Sequence, residues 1–222
     1  MAPPVLGPSV AYWPVSGEIV PYMEGALREA GEALDVVTWH YYPQQSERCP
    51  VQSRAAGPEV MLEPDHLDEV QIWADIVEGL AAEHVPHAQV WLGETGNAQC
   101  GGAAGVSDSW ASTLWFLDQL GTLARRGQPI QVRQTLSGSD YGMLDDETLA
   151  PLPDYWGALL WRRLMGEGVL EVTSELPDLR VHAHCHPDGG GAVTVLAINL
   201  SQGRSIAAGM AGLSTRSMRV HL

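Results

Sequence analysis

The run Val90-Trp91-Leu92-Gly93-Glu94 is apolar until it ends in a lone carboxylate, and the turn Cys100-Gly101-Gly102 follows closely. A strand buried on both faces of a parallel sheet reads as such a continuous run. In barrels of parallel strands, catalytic groups stand at the C-terminal mouths of the strands. A carboxylate there can act as the nucleophile of glycoside hydrolysis, in which two carboxyl groups flank one sugar ring. Glu94 supplies one. Asp140, Asp145, Asp146 and Glu147 cluster further on, but nothing selects one of them, and they read as a solvated acidic loop.

His40 and Tyr42 close another β-branched run, Leu34-Asp35-Val36-Val37-Thr38-Trp39-His40. An imidazole or phenol beside a nucleophile can hold its orientation; a histidine among aromatics can equally be structural. Side chains alternate along a strand, so Tyr41 faces away from its two neighbours. Cys100, Gly101 and Gly102 lack large side chains, so their amides can approach an anionic ligand. A plain tight turn is the other reading. Arg133 either pairs with a buried carboxylate or is a solvated strand-end charge.

These groups need a scaffold, and the chain alternates strand and helix. Strands are expected at Pro4–Ser9, Leu34–His40, Gln89–Glu94 and Ile130–Leu136, and helices at Gly17–Ala33, His66–Glu83, Ser107–Arg126 and Asp154–Met165. That order implies parallel βαβ units. Residues 43–65 carry no period and read as a long loop, a type often functional. Beyond Gly168, Val169–Ser174, Leu179–His184 and Ala192–Leu200 are short β-rich runs between turns, which read as an antiparallel module. The expected division is residues 1–167 and 168–222. The end, Ser217–Leu222, looks like a strand cut short.

Of the eight tryptophans, Trp73, Trp110, Trp115, Trp156 and Trp161 fall on expected helices as core residues, and Trp39 and Trp91 are expected to fill a barrel. Trp13 alone sits in a loop placed to meet a glycan. His182, His184 and His186 would share one strand face; they read as exposed strand histidines, and no metal or other cofactor is expected.

The net charge is −15, and all 12 basic residues are arginine, which excludes the basic clusters that nucleic acid requires. No apolar stretch is long enough to span a membrane, and no signal peptide opens the chain. The three cysteines fit no zinc spacing. Cys49 and Cys100 both lie in loops after strands, so they are either a disulfide or two free thiols.

Taken in order, Val37-Thr38-Trp39-His40-Tyr41-Tyr42, Val90-Trp91-Leu92-Gly93-Glu94-Thr95, Cys100-Gly101-Gly102, Val106-Ser107-Asp108, Arg133-Gln134 and Pro151-Leu152-Pro153-Asp154-Tyr155-Trp156 resemble the heparanase-like endo-β-glucuronidases of glycoside hydrolase family 79, clan A. The resemblance implies the C-terminal half of a (β/α)8 TIM barrel, strands 5–8, followed by a partial antiparallel β-sandwich. It implies retaining hydrolysis of β-glucuronide linkages, with Glu94 as nucleophile and the acid/base on a barrel half absent from this chain, which contains no Asn-Glu dipeptide. It gives substrate-binding roles to His40, Tyr42, Cys100, Gly101, Gly102, Gln134 and Tyr141. The glycine turn would hold the glucuronate carboxylate. The implied partners are a glucuronic-acid-containing glycan and a complementary N-terminal barrel half, in an extracellular or periplasmic setting. An exo-acting β-glucuronidase, and a non-catalytic or carbohydrate-binding remnant, are the other readings.

Overall fold

The computed structural model describes residues 3–12, 19–207, 209, 211 and 218–220. Trp13, the start of the expected first helix at Gly17, and part of Ser217–Leu222 lie outside them. The elements run β1 (Leu6–Tyr12), α1 (Ile19–Ala30), β2 (Val36–Tyr41), β3 (Gln44–Gln45), α2 (Pro58–Met61), α3 (Pro64–His84), β4 (Gln89–Thr95), β5 (Ala98–Gln99), α4 (Trp110–Arg125), β6 (Gln131–Arg133), α5 (Pro153–Leu164), β7 (Val169–Leu170), β8 (Leu179–Cys185) and β9 (Val193–Asn199). The chain is α/β. Strands β1-β2-β4-β6 form a four-stranded sheet with every neighbouring pair parallel. Strands β7-β8-β9 form a separate antiparallel sheet.

Local chemistry explains the boundaries. Proline opens α2, α3 and α5, where its missing N–H costs nothing and its fixed φ suits a first turn. Helix α4 ends because Gly127 follows at φ +84°, a left-handed conformation that favours glycine. The expected aperiodic segment 43–65 is more ordered than its composition suggests. It contains β3, α2 and the first residues of α3. The Gln45 side chain accepts from Ser53 and from the Arg54 N–H, which folds the segment back on itself.

One face of the parallel sheet packs on helices. Val10, Val37, Trp39, Tyr41 and Leu92 of the strands meet Met23 and Leu27 of α1, Val70, Ala74, Val77 and Ala81 of α3, and Leu123 of α4. Each valine, leucine or methionine among them contributes about 1.5–3 kcal/mol by its burial. Trp39 belongs to this sheet–helix core, and its N–H donates to Gln128 at 3.0 Å. Trp91 is only half-buried, with its N–H on Gln89. The two tryptophans therefore do not fill a common interior: they are adjacent in register only as Trp39–Leu92 and Thr38–Trp91, and alternation separates their faces. Among the helical tryptophans, Trp115 is buried, but Trp110 and Trp156 are exposed, contrary to the core expectation.

The antiparallel sheet is fastened to the helices by charge. The Arg180 guanidinium bonds both Asp118 oxygens at 3.0 Å and Asp68 at 2.8 Å, and His182 Nε2 lies 2.8 Å from Asp118. Burial alone would push the Asp118 carboxyl up, but bonds from His182 and Arg180 outweigh it and hold it low. His182 and His184 are thus buried rather than exposed strand histidines, because this face of β8 is covered. His184 Nδ1 bonds the Gly166 carbonyl, and His186 lies beyond the strand end. Among the described residues no cluster could hold a metal ion.

The packing makes a sharp contrast between two helical glycines. A Cβ at Gly121 would stand 2.1 Å from the His182 ring, whereas nothing lies within 4 Å of one at Gly79. Gly121→Ala is expected to destabilise the chain by about 1–3 kcal/mol in denaturant unfolding. Gly79→Ala should stabilise it by about 0.5–1 kcal/mol.

Candidate active site

Strict alternation would send Glu94 the wrong way. Leu92 is fully buried against the helices, so two residues later Glu94 should also face them. The register prevents this. Trp39 pairs with Leu92 and His40 pairs with Glu94, so β4 carries one extra residue, Gly93, against β2. The same surplus appears against β6, where Leu92 and Thr95 pair with Gln131 and Arg133. Such a bulge re-aims the side chains after it. Thr95 returns to the helix side, where its hydroxyl bonds the Tyr41 carbonyl at 3.0 Å and Gln119. Glu94 is left beside His40, on the face away from the helices. Gly93 tolerates this because Thr38 leaves little room: an added Cβ would lie 3.0 Å from it.

Around Glu94 the expected residues converge. The Tyr42 hydroxyl donates to Glu94 Oε1 at 2.6 Å and touches the Gln134 side-chain amide. One phenol proton cannot serve two acceptors. Donation to Glu94 therefore leaves the phenol oxygen to accept from Gln134, with that amide turned to present its Nε2. Burial, and then the bond to Glu94, push the Tyr42 phenol far above its ordinary pKa, so Tyr42 stays protonated. His40 Nδ1 lies 3.6 Å from Glu94 Oε2, too long for a hydrogen bond. Burial lowers the His40 pKa and the Glu94 charge only partly opposes it, so the imidazole is neutral at pH 7.

Glu94, Tyr42, Gln134, Tyr141, Cys100 and Gly101 line one cavity of about 650 Å³, together with Gln45, Gln99 and the loop residues Cys49, Pro50, Val51 and Ser53. Glu94 is the one carboxylate among these lining residues. Gly102 sits just behind, where a Cβ would press on the Tyr141 backbone at 2.8 Å. His40 contacts Glu94 without lining the cavity.

Several elements hold this arrangement. After Tyr42-Pro43 and Gly96-Asn97 interrupt them, β2 and β4 pair again as β3 and β5. That brings Cys49 and Cys100 together, and they form a disulfide with Cα atoms 5.4 Å apart. Arg133 pairs with Asp154 at 2.6 Å, both side chains almost fully buried. Asp154 also receives the Ser112 and Thr113 hydroxyls, tying β6 to α4 and α5 directly before Gln134. Asp140 is engaged by Arg48, while Asp145 caps its own turn through Thr148.

Sequence reasoning missed Arg48, the lining residues Gln45, Pro50, Val51, Ser53 and Gln99, and Gly96. At Gly96 a Cβ would lie 2.8 Å from the Tyr42 ring, so its smallness lets that ring reach Glu94. A glycine directly after a candidate nucleophile's Thr was the available signal.

Comparison with known proteins fits this geometry. Residues 20–121 match the model described as glycosyl hydrolase family 79, N-terminal domain. The chain is 44% identical over 169 residues to "Heparanase-like protein 1" of Arabidopsis thaliana, covering 76% of this chain and 30% of that protein. It is 40% identical over 183 residues to "Heparanase" of Gallus gallus, covering 79% and 34% respectively.

The chain belongs to glycosyl hydrolase family 79.

It spans about a third of the length of these curated relatives. Among solved structures, the family 51 arabinofuranosidase of Xanthomonas axonopodis pv. citri superimposes with a TM-score of 0.65 at 13% identity, over 88% of this chain and 43% of that one. That likeness concerns the fold alone: the neighbour is a glycoside hydrolase built on a TIM barrel, and this chain shares its α/β arrangement around a parallel sheet. The family 79 match ends inside α4, so β6, α5 and the antiparallel sheet extend beyond it.

The electrostatics of the site give a direct check. Glu94 opposes the lowering of the His40 pKa, so replacing it with a neutral isostere removes that opposition. By NMR titration, His40 should titrate below the ordinary imidazole range in the unaltered chain and lower still in Glu94→Gln. An unchanged or raised value would contradict the placement of the pair.

Proposed function

We propose that this chain is the part of a retaining, heparanase-like glycoside hydrolase that carries the nucleophile, and that it acts on β-glucuronide linkages of acidic glycans. The observation that carries the reading is the hydrogen-bonded Glu94 carboxylate at the wall of a sugar-sized cavity that is also lined by Cys100 and Gly101 of the glycine turn. Tyr42 donates to Oε1, which leaves Oε2 to attack the anomeric carbon. The C1–O bond breaks as a glycosyl–Glu94 ester forms, and the leaving oxygen takes a proton from a carboxylic acid. Water then attacks C1, gives its proton to the same carboxylate, and returns Glu94 with retained configuration. A neutral His40 and a protonated Tyr42 fit this role, because both support the carboxylate without protonating it.

The second carboxyl must come from elsewhere, since Glu94 is the sole carboxylate among the residues lining the cavity. We assign the four parallel strands to positions 5–8 of a (β/α)8 barrel, residues 1–167, with residues 168–222 forming part of a β-sandwich. A complementary N-terminal barrel half then supplies the acid/base. Support comes from the uncovered sheet: β1 and β6 are open edges, and Leu6, Ile130 and Val132 are 46%, 39% and 48% exposed. Open edges with apolar exposure call for a covering partner. Gln134, Tyr141 and the Cys100–Gly102 turn would hold the sugar, the turn through its backbone amides. The Cys49–Cys100 disulfide favours an exported, oxidising setting. No described helix is long and apolar enough to cross a membrane. The mechanism calls for no cofactor.

A fluoride leaving group needs no proton, so the reading can be tested without the missing acid. Incubation with 2-deoxy-2-fluoro-β-glucuronosyl fluoride should add one sugar to the chain, mapped by peptide mass spectrometry to Glu94. Glu94→Gln should take up none. Labelling of another residue, or equal labelling of Glu94→Gln, would remove the assignment.

A further inference from the structure

The glycine turn beside the cavity is gripped from behind by one side chain. Arg48 Nε donates to the Cys100 carbonyl at 3.1 Å, and Nη2 donates to the Gly101 carbonyl at 3.0 Å and the Gly102 carbonyl at 2.6 Å. Asp140 meets the same Nη2 at 2.5 Å, so that the two Nη2 protons are shared between its carboxylate and the two glycine carbonyls, and its bond holds the Arg48 pKa above its ordinary value. The next residue, Cys49, is bonded covalently to Cys100. Two consecutive residues of the 43–57 loop thus hold the same turn by different means.

The peptide plane gives this grip a consequence. In a trans peptide the N–H points opposite to the C=O. The Cys100 carbonyl shares its plane with the Gly101 N–H, and the Gly101 carbonyl with the Gly102 N–H. Arg48 does not line the cavity, whereas Cys100 and Gly101 do. Drawing both carbonyls towards Arg48 therefore turns both N–H groups away from it. Neither N–H has an acceptor among the described residues. By contrast, the next amide, Ala103, is already taken by the Ser107 hydroxyl at 2.9 Å. The positive φ of Gly101 and Gly102, +87° and +80°, is the conformation that lets successive amides converge on an anion.

We propose that Arg48 is a positioning residue for acidic-sugar recognition: it fixes the Cys100–Gly102 turn so that the Gly101 and Gly102 amides are preset for the substrate carboxylate. This rests on the glucuronide reading above. Arg48 acts through geometry rather than as a ligand, since it does not line the cavity and its Nε and Nη2 are engaged by the turn carbonyls and by Asp140. A lysine keeps the charge but cannot span adjacent carbonyls as a planar fork does.

The test compares binding of methyl β-D-glucuronide and methyl β-D-glucoside to the full chain by NMR titration. The unaltered protein should prefer the glucuronide. Arg48→Gln and Arg48→Lys should each lose about tenfold in glucuronide affinity, the scale of one charge-assisted interaction. Neutral-glucoside affinity should hold within about twofold, which separates lost preorganisation from general damage to the fold. Should Arg48→Gln not fold, Asp140→Asn, which frees the guanidinium, should show the same selective loss to a smaller degree. Full preference retained in Arg48→Gln, in Arg48→Lys or, where it stands in, in Asp140→Asn would overturn the positioning role while leaving the glucuronide reading intact. An unaltered protein with no preference would overturn that reading, and this inference with it.

Discussion

The site depends on one extra residue in one strand. A β-strand has a side-chain period of two, so a carboxylate two positions after a buried leucine belongs to the same face as that leucine. Gly93 breaks the period, and both neighbouring strands record the break in their register. Everything that makes Glu94 chemically interesting follows from that offset: the Tyr42 bond, the His40 contact and the access to the cavity. A buried, unpaired carboxylate facing the helices would instead cost several kcal/mol.

Around this offset the chain builds rigidity from three directions. Below, Arg133 and Asp154 form a buried pair, and removing one partner of such a pair typically costs about 3–5 kcal/mol. That pair anchors the end of β6 and with it Gln134. In front, the 43–57 loop is closed by Gln45, by Arg48 and by the disulfide. Behind, α4 is bound to the antiparallel sheet through Asp118, Arg180 and His182. The groups proposed for chemistry sit on strand ends and short turns, held partly by the cavity wall itself, through Gln45 and the disulfide, and partly by neighbours that do not line it, such as Arg48 and Asp154.

Much of this was legible in the sequence, for identifiable reasons. Long apolar or amphipathic runs located the four parallel strands and four of the helices, because burial dictates their pattern. Ordered motifs brought Glu94, Tyr42, Cys100, Gly101, Gln134 and Tyr141 to one place. Other features were hidden because they depend on tertiary contact. The bulge at Gly93 is invisible in a run that reads as a regular strand. The 43–57 loop lacks period because side-chain bonds, not repeating burial, fold it. Trp110 and Trp156 were assigned to a core that does not cover them here, whereas His182 and His184 were read as exposed although the helices bury them. In each case pattern reports a face, and only the fold decides what lies against it.

The most direct test of the account is the structure of Glu94→Gln soaked with a β-glucuronide. The account predicts the sugar in the 650 Å³ cavity, its anomeric carbon about 3–3.5 Å from the residue 94 side chain and its carboxylate against the Gly101 and Gly102 amides. A sugar bound with its anomeric carbon remote from residue 94, or a residue 94 side chain turned among the helices, would contradict it.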